Sequence, residues 1–64
     1  MTLEPGDEYT VEWASYDQQR YRVEEVRGNI IVFRRWLARK GEWAAWTGIQ
    51  RLDRLPMGRT TKAA

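Results

Sequence analysis

The sequence predicts a mostly-β protein of four or five short antiparallel strands, with a short helical turn near the C-terminus. Apolar and polar residues alternate over 8–13, which is typical of a half-buried strand. The turn pair Gly28-Asn29 is followed by the β-branched run 30–32, which favours a hairpin. Because 64 residues form one domain at most, we expect these strands to share a single core.

The domain organisation follows from the same patterns. We expect an N-terminal turn over 1–7, a single small β-barrel domain over 8–55 and a mobile basic tail over 56–64. The tail begins at Pro56 and has little apolar surface to bury, so nothing in its composition predicts a packed element.

A turn and a strand open the chain. In the turn 4–7, Pro5 presets the first central φ angle and Gly6 accepts the positive φ of a type II turn. In the strand that follows, three large side chains are expected to point towards the core: Tyr9, Val11 and Trp13. The residues 15–19 are polar and predict a loop.

A hairpin comes next, with strands over 20–27 and from Ile30 onwards. Strict pairing across its turn would set the apolar Val23 opposite Arg34. One β-bulge at Glu24-Glu25 corrects this mismatch, so we predict a bulge there. The predicted pairs are Val26 with Ile31, Val23 with Phe33, and Tyr21 with Arg35.

A second hairpin is predicted to turn at Lys40-Gly41. Its expected pairs are Arg39 with Glu42, Ala38 with Trp43, Leu37 with Ala44, Trp36 with Ala45, and Arg35 with Trp46. One face then forms core, with Ile31, Phe33, Leu37, Ala44 and Trp46. The other face leaves the indoles of Trp36 and Trp43 accessible beside Arg34. The stem of Arg35 is expected to pack on the core face, with its charged head at the sheet edge.

The last segment, 49–55, spaces its apolar residues by three and predicts one or two turns of α- or 3₁₀-helix before Pro56. An alternative remains open. Apolar positions over 33–40 and 43–55 also fit two helix faces, which would give a three-stranded meander followed by two helices. Gly48 would lie inside the second helix and cost about 1 kcal/mol relative to Ala, so we favour the mostly-β fold.

The strand order, opened by Pro5-Gly6-Asp7, resembles an SH3-like small barrel of the kind found in Tudor and KOW modules. The similar segments are 5–11, 21–26 and 30–33, and the resemblance covers residues 5–55. It implies a five-stranded barrel and a binding function. The turn 17–19 lacks the glycine that is characteristic of KOW modules, and the sequence supplies no aromatic cage for methyl-lysine.

Composition argues against catalysis and against a cofactor. The chain has no Cys and no His, which removes thiolate chemistry, the commonest general base and the commonest transition-metal ligand. Glu24 and Glu25 are adjacent in a strand and point to opposite faces, so we expect no metal site there. The longest large apolar run, 30–33, is too short to cross a bilayer, and we expect a cytoplasmic protein without a membrane partner or a small-molecule substrate. Compact chains of this length are common among accessory genes of phages and plasmids, and we expect such an origin.

Charge is distributed unevenly along the chain. Residues 1–26 hold seven acidic and two basic residues, whereas residues 27–64 hold nine basic and two acidic ones. The net charge of +2 therefore hides a difference between −5 and +7. We expect an acidic pole from the first strand and the bulge, and a basic pole from the second hairpin. Such poles also leave head-to-tail self-association open as an alternative.

Cations and indoles alternate over 34–46, a mixture that suits a polyanion with flat rings. We therefore predict a nucleic-acid-binding module, of unspecified nucleic-acid type, in which arginines bind phosphates and indoles stack on bases. The predicted site residues are Arg34, Arg35, Trp36, Arg39, Lys40, Trp43, Arg51 and Arg54. The alternative is a protein-interaction adaptor or inhibitor that uses the Trp36/Trp43 patch on an acidic protein surface.

Overall fold

A computed structural model describes residues 2–14, 17–56 and 58–63. The described part of the chain is a mostly-β protein with six antiparallel strands and one 3₁₀ turn. The elements are β1 (Glu8–Val11), β2 (Gln19–Arg27), β3 (Ile30–Leu37), β4 (Glu42–Trp43), β5 (Gly48–Arg51), the 3₁₀ turn Leu52–Arg54 and β6 (Thr60–Lys62). The predicted mostly-β class is therefore confirmed, with six strands in the described residues where four or five were expected, and the alternative with two helices is wrong.

The sheet runs in the order β4-β3-β2-β1-β6, and β5 also pairs with β3. β4 and β5 lie one after the other along the same edge of β3, because they pair with its second and first halves respectively. The strand pairs of the described residues do not close this sheet into a barrel.

The first hairpin has the predicted register. Val26 pairs with Ile31, Val23 with Phe33 and Tyr21 with Arg35, and the register shifts between Val23 and Glu25. The bulge predicted at Glu24-Glu25 is thus confirmed, and Glu24 is the unpaired residue. Its physical basis is the one that the sequence indicates: without the extra residue, an apolar side chain would face a charged one.

The opening turn is also confirmed. The backbone N–H of Asp7 donates to the carbonyl of Glu4 at 3.0 Å, and Gly6 has a φ of 92°. The turn delivers the chain into the sheet, because the N–H of Gly6 donates to the carbonyl of Val23 at 2.8 Å. Of the loop expected over 15–19, residues 15 and 16 lie outside the described residues.

The second hairpin differs from its predicted register. Trp36 pairs with Trp43 and Leu37 with Glu42, so the loop contains residues 38–41 rather than the pair Lys40-Gly41 alone. The N–H groups of Lys40 and Gly41 both donate to the carbonyl of Leu37, at 3.0 and 2.8 Å. Gly41 takes a φ of 64°, as the end of such a loop requires. A shift of two residues leaves each side chain on its predicted face, but it brings the two indoles opposite each other.

Trp46 was expected in the core and is instead 51% exposed. The reason is that β4 ends at Trp43 and the chain leaves the sheet before β5 begins at Gly48. Gly48 pairs with Phe33, and a Cβ atom added there would lie 2.5 Å from the Phe33 ring. Glycine therefore lets the ring cover the strand at this point.

The C-terminal residues also correct the sequence prediction. Residues 48–51, expected in part as helix, form β5, and only Leu52–Arg54 form a 3₁₀ turn. β6 pairs with β1 within the range that was expected to be a mobile tail. The N–H of Glu12 extends this pairing by donating to the carbonyl of Arg59 at 2.8 Å. Backbone pairing with β1, rather than apolar burial, holds these residues, and the apolar pattern gave no indication of it.

The core lies on one face of the sheet. Its buried residues are Leu3, Tyr9, Val11, Tyr21, Val23 and Ile31, with Trp13, Val26, Phe33, Leu52 and Leu55 packed against them. Tyr21 is central, because its ring stacks on Tyr9 at 5.2 Å and meets Phe33 edge-on at 4.9 Å. The hydroxyl of Tyr9 donates to Gln50 on β5, and burial raises the pKa of this hydroxyl above its usual range. Large aromatic groups thus supply much of the buried area of a small domain.

Candidate functional site

The outer face of the sheet, opposite the core, holds a cluster of arginines and indoles. Trp36 and Trp43 contact each other edge-on, with ring centroids 5.1 Å apart and an interplanar angle of 71°. The guanidinium carbon of Arg20 lies 5.2 Å from the Trp36 centroid and 5.3 Å from that of Trp43. Arg22 lies 4.9 Å from the centroid of Trp43. The two indoles are half-buried beneath these cations, in contrast to the open platform expected from sequence.

Acidic residues neutralise part of this cluster. Arg20 pairs with Glu8, and Arg22 and Arg34 both pair with Glu24. The hydrogen bond from Arg34 holds the pKa of the Glu24 carboxyl below its usual range, and Arg22 lowers this pKa further. The expectation of separate acidic and basic poles is therefore wrong, because strand pairing places acids of the first half of the chain beside bases on one surface.

Arg34 has a structural role in this cluster. Its Nη1 group donates to the carbonyls of Ala44 and Ala45, at 2.9 and 2.7 Å, while Nε donates to Glu24. The side chain therefore ties the bulge of β2 to the segment that leaves β4. Ala44 is itself 1% exposed, and its N–H donates to the carbonyl of Arg35 at 2.8 Å.

An open groove of about 680 Å³ lies between residues 17–20 and the end of β3 with its following loop. Four cationic side chains and one carboxylate line it: Arg20, Arg35, Arg39, Lys40 and Asp17. Trp36 also lines the groove, so an indole is next to these charges. No acidic group in the described residues is within ion-pair distance of Arg35, Arg39 or Lys40. The groove is therefore suited to an anion, since its cations are exposed and available.

The predicted site residues fall into three groups. Arg35, Trp36, Arg39 and Lys40 meet at the groove. Arg34 and Trp43 lie in the outer-face cluster. The remaining two, Arg51 and Arg54, lie at β5 and the 3₁₀ turn, where Arg51 pairs with Asp53 and is opposite Ile30. Ile30 is six residues from Trp36 on β3, a separation of about 20 Å along an extended strand, so this third group belongs to another part of the surface.

Sequence reasoning missed Arg20 and Arg22, which were counted with the acidic half of the chain. A signal for both was present. The predicted pair of Tyr21 with Arg35 implies that Arg22 is opposite Arg34 and that Arg20 is level with Trp36. The predicted register of the first hairpin is therefore sufficient to place Arg20 and Arg22 beside Arg34 and Trp36.

Together these features define a small antiparallel β protein with a cationic groove at one end of its longest hairpin. Comparisons of the chain with protein-family models, with curated proteins and with solved structures found no match. The described part of the chain contains no helix long and apolar enough to cross a membrane.

Proposed function

We propose that the protein is a small nucleic-acid-binding module that contacts phosphates through the groove. One observation supports this most directly: Arg35, Arg39 and Lys40 have no acidic partner among the described residues and line the groove together with Trp36. Exposed cations that converge on one groove neutralise phosphates and release counterions, which is the main source of affinity for a polyanion. The half-buried indole of Trp36, which lines the same groove, can pack against the sugars of such a ligand.

The proposal assigns different roles to the residues predicted from sequence. Arg35, Arg39 and Lys40 bind phosphate groups, and Arg20 lines the same groove. Arg34 is engaged by Glu24 and two carbonyls, so it supports the site without contacting ligand. Binding without catalysis is proposed, because the chain has neither His nor Cys.

The test is an NMR titration with single-stranded and double-stranded oligonucleotides at two salt concentrations. Chemical-shift changes are expected at residues 17–20 and 35–40. The logarithm of the affinity should fall with the logarithm of the salt concentration, with a slope of about −2 for three phosphate contacts to a single strand. Binding with a flat salt dependence, or no binding at low salt, would contradict the proposal.

We also propose that the fold is related to SH3-like barrels and that the protein is located in the cytoplasm. An SH3-like barrel of the Tudor and KOW kind is supported by the turn Pro5-Gly6-Asp7 and by the small antiparallel sheet that follows it. A cytoplasmic location is supported by the absence of cysteine from the sequence.

A second candidate function is a protein-interaction adaptor or inhibitor, and a specific observation favours it. Three large apolar side chains are exposed near β5, namely Ile30 at 38%, Trp46 at 51% and Ile49 at 68%. This surface replaces Trp36 and Trp43, which are half-buried beneath arginines, as the candidate contact. Under this function, Trp46→Ala and Ile49→Ala would abolish partner capture, and oligonucleotides would not compete.

A further inference from the structure

Arg20 occupies a position that no other cation of the groove shares. Its guanidinium lies over both indoles of the outer-face cluster, and the same side chain lines the groove. We propose that this guanidinium is the surface on which an unpaired base stacks, so that the ligand of the groove is single-stranded nucleic acid. The inference rests on the proposed function, which it deepens by naming the class of nucleic acid and the residue that recognises it.

The indoles themselves are poorly placed to receive a base. Trp36 and Trp43 contact each other edge-on, Arg20 lies over both rings, and Arg22 also lies over Trp43. The guanidinium of Arg20 is therefore the planar group that covers both rings on this side of the groove. A guanidinium is flat and delocalised and stacks on bases as well as on aromatic side chains.

Arg20 is also oriented before any ligand binds. Its Nε donates to Oε1 of Glu8 at 2.9 Å, and its Nη2 donates to the same oxygen. Glu8 belongs to β1, and its side chain is 33% exposed, while that of Arg20 is 47% exposed. The carboxylate thus fixes the plane of the guanidinium along one edge and leaves part of the group open to the groove. A platform that is already oriented loses less conformational entropy when a base binds.

The arrangement distinguishes single strands from duplexes. Bases in a duplex are stacked on one another and present only their edges in the grooves, whereas an unpaired base offers its whole face. In this groove, Arg35, Arg39 and Lys40 form a first group on β3 and the loop that follows it, whereas Arg20 belongs to β2. A single strand can place its phosphates against the first group and one base against Arg20. A duplex cannot do both, since its base faces are covered.

The test compares wild type with Arg20→Lys, which keeps the positive charge and removes the planar guanidinium. Three probes are titrated: a short oligothymidylate, an abasic strand of the same length, and a duplex of the same length. We expect Arg20→Lys to weaken oligothymidylate binding by between about fivefold and a hundredfold, the range for the loss of one stacked base. Binding of the abasic strand should be unchanged, because its phosphates remain paired. Wild type should bind oligothymidylate more tightly than either of the other probes.

The matched control is Arg22→Lys. Arg22 also lies over Trp43, but it pairs with Glu24 and does not line the groove, so its substitution should leave all three affinities within about twofold of wild type. A second measurement does not depend on folding of a variant. In the wild-type protein, the Hε resonance of Arg20 should shift on addition of oligothymidylate and stay in place with the abasic strand.

The outcomes separate the inference from the function on which it rests. Equal losses of oligothymidylate and abasic binding in Arg20→Lys would show that Arg20 acts by charge alone and would overturn the inference. Duplex binding as tight as single-strand binding would overturn it as well. In both cases nucleic-acid binding itself would survive. If no probe binds wild type, the proposed function fails, and the inference fails with it.

Discussion

Arg34 and Arg35 are neighbours on β3, yet the side chain of Arg34 is held by hydrogen bonds and that of Arg35 is exposed to solvent. Arg34 points to the outer face, where it bonds to Glu24 and to the carbonyls of Ala44 and Ala45. Arg35 is exposed, lines the groove and has no ion pair within the described residues. The two arginines carry the same charge and lie on the same strand, but only the charge of Arg35 is available to an anionic ligand.

The same difference separates two regions of the surface. In the outer-face cluster, Glu8 and Glu24 pair with Arg20, Arg22 and Arg34. At the groove, Arg35, Arg39 and Lys40 have no such partners among the residues described. The number of cations in a segment therefore does not indicate its capacity to bind an anion. Exposed ion pairs are individually weak, but each one fixes a side chain in place and reduces the local field.

The largest expected effect comes from removing the unpaired cations together. The triple variant Arg35→Gln, Arg39→Gln, Lys40→Gln should bind a single-stranded oligonucleotide roughly a hundredfold more weakly at low salt, because three phosphates are no longer neutralised. The salt slope should become flatter by about 0.7 for each of these phosphates. Fluorescence anisotropy at several salt concentrations measures both quantities.

A control of equal charge tests whether position matters. The triple variant Arg27→Gln, Arg51→Gln, Arg59→Gln removes the same net charge from residues that do not line the groove. At about 0.15 M salt it should retain most of the affinity, because none of these three side chains lines the groove and longer-range attraction is screened at that ionic strength. Similar losses of affinity in the two triple variants would mean that binding follows net charge, and the distinction between the two regions would fail.

The second prediction concerns stability. Arg34→Ala should lower the free energy of unfolding by about 1–3 kcal/mol, because two carbonyls lose charge-assisted hydrogen bonds. Arg35→Ala should change it by less than about 0.5 kcal/mol, as expected for an exposed side chain without partners. Urea denaturation followed by Trp fluorescence gives both values.

Arg34→Lys adds a more specific check. An ammonium group is a point donor on a flexible stem and cannot span Glu24 and two carbonyls as the guanidinium does. Most of the stability loss should therefore remain in Arg34→Lys. If Arg34→Lys were as stable as wild type, the positive charge, rather than the several N–H donors of the guanidinium, would hold the β4 segment.

The fold could be predicted where local patterns decide it. The alternation of apolar and polar residues predicted β1. The mismatch of Val23 with Arg34 predicted the bulge, because side chains alternate between the two faces and only one register buries every apolar residue of the hairpin. The second hairpin was less determined. Its outer face combines alanines with Trp36 and Trp43, so several registers bury similar surface, and hydrogen bonds to the carbonyl of Leu37 select the longer loop.

The candidate site could be predicted only in part, and for a related reason. Arg35, Trp36, Arg39 and Lys40 are close in sequence, so their meeting at one groove follows from local order. Which cations remain unpaired depends on Glu8 and Glu24, which come from other strands. Ion pairs between strands can be predicted only when the register of the whole sheet is known. That register includes β6, which pairs with β1 mainly through its backbone and therefore has no apolar pattern that would predict it.

The third prediction uses pH to isolate Glu24. Its pKa in the folded protein lies below the unfolded value of 4.5, chiefly because of the hydrogen bond from Arg34. Stability from this group is therefore complete above pH 4.5 and is lost as the pH falls through the folded pKa. Glu24→Gln should lower the melting temperature at pH 7, and the difference from wild type should shrink towards pH 3. Glu12→Gln is the control, because Glu12 is exposed without an ion pair among the described residues and its variant should differ equally little at both pH values.

The smallest expected effect comes from Arg51 and Arg54, the two predicted site residues that lie away from the groove. Arg51 pairs with Asp53, and β5 sets it opposite Ile30, at the far end of β3 from Trp36. The double variant Arg51→Gln, Arg54→Gln should therefore weaken oligonucleotide binding by less than about threefold, with an unchanged set of shifted resonances at the groove. A loss of affinity as large as that of the groove triple variant would mean that a strand follows the surface from the groove along β3 to β5. The unpaired cations at the groove would then be one end of a longer site, and the exposed Ile30 and Ile49 would lie beneath the ligand, where their substitution should also weaken binding.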